Sequence, residues 1–248
     1  MISRQKLKLI KSLQLKKYQK QEQKFLVEGE KSVLEILDSR YKINTLLATK
    51  RFLRSYQYLF QEKYFEVVEA GVDELTRAGT LKTSNHAIAV VEIPETEDRD
   101  LSAIPILPVF ESLQDPGNLG TILRTCDWYG LDTIVLSNDS VDVYNPKVIQ
   151  ASMGSFIRVS VVYRDLEEFL SQTDVPVYGT KTRGEIIYKI TWPRKLIILF
   201  GNESRGIPER LDPFISKVIS IPKSGEAESL NVGIATAVIL DNLQRKSF

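Results

Sequence analysis

The 248-residue chain carries 33 Lys+Arg against 32 Asp+Glu, a formal charge of +1, with 43% apolar and 26% charged residues. Those proportions exclude a disordered or collagenous chain, and the length allows one large domain or two small ones. The longest nearly unbroken apolar run, Val232 to Leu240, falls far short of the ~20 residues that cross a bilayer; the basic start lacks the apolar core of an export signal, so a soluble cytoplasmic protein is expected.

Residues 1–24 hold Arg4, Lys6, Lys8, Lys11, Lys16, Lys17, Lys20 and Lys24 against Glu22 alone, a net of +7 that leaves −6 for the rest. Leu7, Ile10 and Leu13 recur at helical spacing, so the block reads as an amphipathic helix with a basic outer face. Such a face suits a polyanion, RNA or DNA, with Lys11, Lys16, Lys17 and Lys20 as contacts; the plainer reading is a solvated surface. Strands follow at Phe25–Glu28, Ile43–Ala48, Phe65–Val68 and Ala87–Ile93, with helices at Glu30–Leu37 and Phe52–Phe60. The segment Pro94-Glu-Thr-Glu-Asp-Arg-Asp100 has no apolar residue and reads as a linker, which places an α/β domain over residues 1–97 and a second over 101–248.

In the second half, strands at Ile104–Phe110, Thr133–Leu136, Ile157–Val162, Val175–Tyr178, Leu196–Phe200 and Val218–Ile221 alternate with helices, including Leu119–Tyr129 and Leu230–Arg245. Buried β-branched runs separated by helices argue a parallel sheet covered on both faces.

Rare residues narrow the chemistry. Cys126 is the only cysteine and His86 the only histidine, so an internal disulfide is impossible and a structural zinc site is not expected. His86 opens an apolar stretch and reads as a strand-end residue. Neither G-x-x-x-x-G-K-[ST] nor G-x-G-x-x-G occurs, which argues against the usual P-loop and Rossmann sites.

Three glycine-centred loops remain, each leaving the carboxyl end of a predicted strand, where open α/β sheets bind ligands. The first, Phe110-Glu-Ser-Leu-Gln-Asp-Pro-Gly-Asn118, runs into a helix for which Asn118 suits the N-cap and Gly130 the C′ position; Arg124 lies off the buried stripe of Leu119, Ile122, Leu123 and Cys126. The second is Gly201-Asn-Glu-Ser-Arg-Gly-Ile-Pro208. The third runs from Ile221-Pro to Ser229-Leu-Asn-Val232, with Ser229 as the candidate cap of the last helix. Asn231 has no such structural reason there, since Asn is a poor helix former. Gly233 suggests a close backbone approach.

Together these segments resemble the motif set of the SpoU (TrmH-like) branch of the SPOUT superfamily of RNA methyltransferases. Asn118, Gly120, Arg124 and Gly130 match the first motif, Gly201-Asn-Glu203 and Gly206 the second, and Ile221-Pro with Ser229-Leu-Asn-Val232 the third; Ala151-Ser-Met-Gly154 matches a secondary one. Residues 1–97 resemble the small substrate-binding domain often fused to this branch. The chain departs from the pattern at Ser204, Lys223 and Gly233, the last two bordering the expected cofactor loop.

The resemblance implies an α/β-knot catalytic domain with a trefoil knot, working as a homodimer. It further implies S-adenosyl-L-methionine held by Thr180, Leu199, Gly201, Ile221 and Leu230. The reaction would be methyl transfer to a ribose 2′-hydroxyl of RNA, ribosomal rather than tRNA. Arg124, Asn118, Glu203, Ser229 and Asn231 would be catalytic, and no metal would be needed. Because Arg stays protonated in proteins, Arg124 is expected to clamp a phosphate, with Glu203 either orienting it or taking a proton. Two other readings stand: an RNA-binding assembly protein of this fold without catalysis, and a SPOUT enzyme methylating a base nitrogen.

Overall fold

The computed structural model describes residues 2–60, 64–82, 86–95 and 99–245. In chain order the elements are α1 (Arg4–Ser12), α2 (Lys16–Glu22), β1 (Lys24–Glu28), α3 (Glu30–Leu37), β2 (Ile43–Ala48), α4 (Lys50–Ser55), β3 (Glu66–Glu69), α5 (Val72–Ala78) and β4 (Ala87–Glu92). There follow β5 (Ile106–Phe110), α6 (Pro116–Trp128), β6 (Thr133–Ser137), α7 (Pro146–Ser152), β7 (Ser160–Arg164), α8 (Leu166–Ser171), β8 (Val177–Ile186), β9 (Leu196–Phe200), β10 (Lys217–Ser220) and α9 (Val232–Gln244). The chain divides into two compact units: residues 1–97 with 142–157, and residues 98–141 with 158–248.

In the first unit a sheet of order β1-β4-β2-β3 is antiparallel except for the β2–β3 pair. Ile10 and Leu13 of the basic segment pack with Leu26, Leu47, Leu75 and Ile88 on one side. The basic segment is two helices and not one: Leu13 ends α1, and Leu15, in extended conformation, caps α2. Phe25, next to Leu26 and so facing the other way, is fully buried among Tyr144 (ring centroids 4.5 Å apart), Tyr41 (5.9 Å) and Phe156 (6.1 Å). Tyr144 and Phe156 flank α7, and this aromatic packing, with the Gln19 Nε2 bond to the Tyr144 carbonyl and the Lys16–Asp142 ion pair, attaches residues 142–157 to the first unit. His86 precedes β4, and its carbonyl accepts from the Thr49 N–H, a strand-end role as expected.

The second unit is built on an all-parallel sheet of order β10-β8-β9-β5-β6-β7. Leu107, Val109, Val135, Ile197 and Leu199 face α8 on one side. Phe110 and Phe200 stack on the other side, with centroids 4.8 Å apart, in register across β5 and β9. From β5 the chain winds outward through β6 and β7, then crosses back to β8 and β9. The topological switch point therefore lies between β5 and β9, and ligands of open α/β sheets bind beyond the carboxyl ends of strands at such a point.

Several expected boundaries move. The helix expected from Leu119 begins at Pro116, the last helix begins at Val232 and not Leu230, and the strand expected over Ile157–Val162 is Ser160–Arg164. β8 is longer than the expected Val175–Tyr178. Its ladder with β10 jumps from Gly179 to Glu185 between Val218 and Ile219, so Thr180–Gly184 bulges out at the strand's carboxyl end.

Candidate functional site

The loops after β5 and β9 meet at the switch point. The first leaves Phe110 and turns at Ser112, whose φ of +50° is unusual for a residue other than glycine. Two bonds hold this turn: the Ser112 N–H donates to Ser137 Oγ (2.7 Å), and Asn202 Nδ2 donates to the Ser112 carbonyl (2.8 Å). The loop then enters α6 through Asp115-Pro116. Asp115, not the expected Asn118, is the N-cap: its carboxylate accepts the Asn118 N–H at 2.8 Å. Pro116, which has no N–H to lose, occupies the first helical position. Freed from capping, the Asn118 side chain points to the other loops.

After β9, Gly201 begins a tight turn in which Asn202 and Gly206 exchange backbone hydrogen bonds of 2.9 and 3.0 Å. A Cβ on Gly201 would sit 2.2 Å from the Gly206 carbonyl carbon, so only glycine fits. Asn202 Oδ1 accepts from the Ser204 and Arg205 N–H groups, which presents Glu203 at the tip.

The expected residues converge through one chain of bonds. Asn118 Nδ2 donates to Glu203 Oε1 at 3.0 Å, and Asn231 Nδ2 donates to Asn118 Oδ1 at 2.8 Å. Asn231 is itself the N-cap of α9, its Oδ1 accepting from the Gly233 and Ile234 N–H groups. This corrects both the expectation that Ser229 caps the last helix and the view that Asn231 lacks a structural role. Ser229 lies exposed two residues before the cap. Gly233 does mark a close approach: a Cβ there would be 3.2 Å from Thr121 Cγ2 of α6.

Arg124 is exposed on α6, and its guanidinium has no partner among the described residues. It stands six residues beyond Asn118, about 9 Å along the axis and on a different face. Within the chain, Glu203 accepts from carboxamides and does not orient Arg124.

Of the expected cofactor residues, Gly201 follows β9, Thr180 opens the β8 bulge and Ile221 follows β10, so all three sit at the carboxyl edge of adjacent strands. Leu199 is fully buried in the sheet, which leaves its backbone as the contact the resemblance implies. Leu230 is half-exposed just before α9. Among the described residues, Pro222–Leu230 makes no hydrogen bond, which leaves its backbone donors and acceptors open to a ligand. A cofactor bound by backbone and apolar contacts, with no phosphate loop, fits this edge. Lys11, Lys16, Lys17 and Lys20 are exposed on α1 and α2, Lys16 lying 3.5 Å from Asp142.

Sequence reasoning passed over Asn202 as a functional residue, although it lies inside the second motif; its side chain ties the two loops together. No group of His, Cys, Asp and Glu that could hold a metal, and no helix long and apolar enough to cross a membrane, occurs among the described residues.

Comparison with known proteins gives the geometry its context. Residues 105–241 match the SpoU rRNA Methylase family, and residues 4–89 match the MRM3-like substrate binding domain. The chain is 31% identical over 244 residues to the Bacillus subtilis (strain 168) 23S rRNA (guanosine(2553)-2'-O)-methyltransferase RlmP, spanning 97% of this chain and 96% of that one. A Porphyromonas gingivalis structure described as a TrmH-family RNA methyltransferase superposes with a TM-score of 0.89 at 35% identity, covering 99% of each chain. The AdoMet-bound rRNA methyltransferase of Sinorhizobium meliloti gives a TM-score of 0.89 at 26% identity, covering 100% of this chain and 98% of that one. The six-stranded parallel sheet, the three loops converging at its switch point and these matches agree: the chain belongs to the SpoU rRNA methylase family.

Proposed function

We propose that this chain transfers the methyl group of S-adenosyl-L-methionine to a ribose 2′-hydroxyl of ribosomal RNA, in the cytoplasm. The observation that carries this reading is the Asn231–Asn118–Glu203 chain of hydrogen bonds at the switch point. The Glu203 carboxylate is braced by a neutral carboxamide at the carboxyl ends of the central strands, which supports this reading. The backbone of Thr180, Leu199, Gly201, Ile221 and Leu230 would hold S-adenosyl-L-methionine, which would supply an electrophilic methyl carbon.

The ribose hydroxyl is a weak nucleophile at neutral pH and has to be positioned and relieved of its proton. Glu203 Oε2 faces the site with only a long contact, 3.4 Å, from Asn202 Nδ2, which leaves it able to accept that proton. Asn118 fixes the carboxylate through Oε1, and Asn231 fixes Asn118, so the acceptor is set before substrate arrives. Ser229, exposed and unbonded, can both donate to and accept from the ribose.

Arg124 serves as a phosphate clamp that also favours the developing alkoxide. Its position about two turns from Asn118, on another face of α6, suits the site of a second copy of the chain, so the working unit is a homodimer with shared sites. The α/β-knot fold, with its trefoil knot, belongs to the same reading. The first unit, residues 1–97 with 142–157, grips the RNA through its basic α1 and α2, while the second unit, residues 98–141 with 158–248, carries the chemistry.

The experiment is to incubate the purified chain with methyl-labelled S-adenosyl-L-methionine and ribosomal RNA lacking modification, then digest to nucleosides. Label on a 2′-O-methyl nucleoside is expected; label on a base, or RNA binding without transfer, overturns the reading. Arg124→Ala and Glu203→Ala should each lose transfer, and mixing the two inactive proteins should restore part of it if the sites are shared.

A further inference from the structure

The loops after β5 and β9 also enclose a polar cleft that the methyl-transfer chemistry does not use. It is a cleft of about 190 Å³ lined by Glu111, Ser112, Asp139, Asn202, Arg205 and Arg210, far above the ~10–15 Å³ that one water needs. Glu111 follows β5 directly and is only 5% exposed. One of its carboxylate oxygens accepts from Arg210 Nη2. The other, Oε2, is buried with no hydrogen-bond partner among the described residues. A buried carboxylate oxygen left unpaired costs free energy and marks a place where a donor is wanted.

The walls are fixed in advance. Asp139 is held by Ser137 Oγ (2.6 Å) and Ser112 Oγ (2.7 Å), one on each carboxylate oxygen, and serves as scaffold. Asn202 is spent on Ser112 and the turn. Two movable cations stand at the mouth: Arg210, half-exposed over Glu111, and Arg205, exposed with no partner for its guanidinium among the described residues. Asn202 is also the neighbour of Glu203, which joins this cleft to the site where the ribose is expected.

We propose that the cleft is the subsite that reads the base of the target nucleotide, and that Glu111 selects a base with adjacent N–H donors on its Watson–Crick edge, a guanine. The inference rests on the RNA methyltransferase reading above. A guanine offers its ring N–H and exocyclic amine side by side to a carboxylate. A uracil offers one N–H flanked by two carbonyl oxygens, which a carboxylate repels. Proteins read unstacked RNA bases on this edge and stack them on arginine planes, a role open to Arg205. Glu111 is thus a specificity-determining residue and Arg205 a stacking one.

The test uses the full chain without turnover. The trinucleotides ApGpA, ApIpA and ApUpA are titrated calorimetrically, inosine lacking only the exocyclic amine. ApGpA should bind about tenfold or more tightly than ApUpA, with ApIpA between them, the discrimination expected of one bidentate base contact. Glu111→Gln should remove the preference, and Arg205→Ala should weaken all three about equally. Thermal unfolding of each variant checks that the fold is kept, and Arg205→Ala carries the test if Glu111→Gln does not fold. Equal binding of ApGpA and ApUpA, no binding at all, or an undiminished preference in Glu111→Gln overturns the proposal. Because binding is read without S-adenosyl-L-methionine, an inactive chain can still pass and an active, undiscriminating one fails only here.

Discussion

Asn118 donates to Glu203 across 85 residues of sequence, at 3.0 Å, and thereby joins the loops that follow the two central strands of the parallel sheet. Glu203 is exposed at a turn tip, where a carboxylate would otherwise sample many rotamers. Asn118→Ala removes its brace without disturbing the helix cap, which belongs to Asp115. Turnover should fall by about 10²–10³, the usual effect of losing one positioned donor, while the chemical-denaturation midpoint changes little.

Asn231 performs two tasks, and substitutions separate them. Asn231→Ala loses the cap of α9 and should cost about 1 kcal/mol as well as activity. Asn231→Asp keeps an oxygen for the Gly233 and Ile234 N–H groups but loses the donor to Asn118 and adds a negative charge. It should retain most of the stability while losing transfer, measured by urea unfolding beside single-turnover assays.

At Gly201 a methyl group collides with backbone, not with a side chain that could move aside. Gly201→Ala should therefore be among the most damaging single changes in the second unit, costing about 3 kcal/mol or more. Loss of soluble protein, or a much lowered unfolding temperature, would be the readout. Gly130, with φ +71° but nothing within reach of a Cβ, should lose far less on replacement by Asn, which tolerates that conformation.

Burial pushes the Cys126 thiol from its ordinary 9.0 up to about 12, with the neighbouring Asp127 charge adding to the effect. The native thiol should be inert to a disulfide reagent at neutral pH and react only on unfolding. Since the folded value is the higher one, this group's contribution to stability is intact below about pH 9 and is lost as the pH rises toward 12. Cys126→Ala should flatten that alkaline slope in a pH series of unfolding curves.

The basic first 24 residues are best tested by charge and not by truncation. Ile10, Leu13 and Gln19 in that segment are buried, and Gln19 Nε2 donates to the Leu13 and Tyr144 carbonyls, so cutting it away opens the first unit's core. Lys11, Lys17 and Lys20 are exposed, and replacing all three with Glu should weaken RNA binding and reduce its salt dependence. Unchanged affinity and salt slope would leave the basic face merely solvated.

Much of the site was legible because its chemistry sits in compact motifs: Asn118 and Glu203 lie within a few residues of a glycine or proline that the turns require, and Asn231 lies two residues before the glycine of a close helix approach. The caps were harder. Asp115 and Asn118 are both good cap residues, and only the preference of Pro116 for the first helical position decides between them. Ser229 and Asn231 pose the same choice without a proline to settle it. The β8 bulge was not legible, since Thr180-Lys-Thr-Arg-Gly184 has no apolar residue and therefore no strand period. Nor was the cleft at Glu111: that residue reads as one more charge after a strand until the fold buries it. The attachment of residues 142–157 to the first unit depends on the Phe25–Tyr144–Phe156 packing, a tertiary fact with no local signature.

That attachment sets an order of events during synthesis. The first unit begins at the amino terminus, but Phe25 acquires two of its aromatic neighbours only when Tyr144 and Phe156 have been made. At roughly 5–20 residues per second, the stretch from residue 97 to residue 157 takes about 3–12 s. For those seconds the nascent sheet holds an apolar face open on the ribosome, and by then β5 and α6 of the second unit already exist. The first unit is therefore completed only by a segment that lies inside the second unit's stretch of sequence, and the second unit only by residues 158–248, which follow that segment.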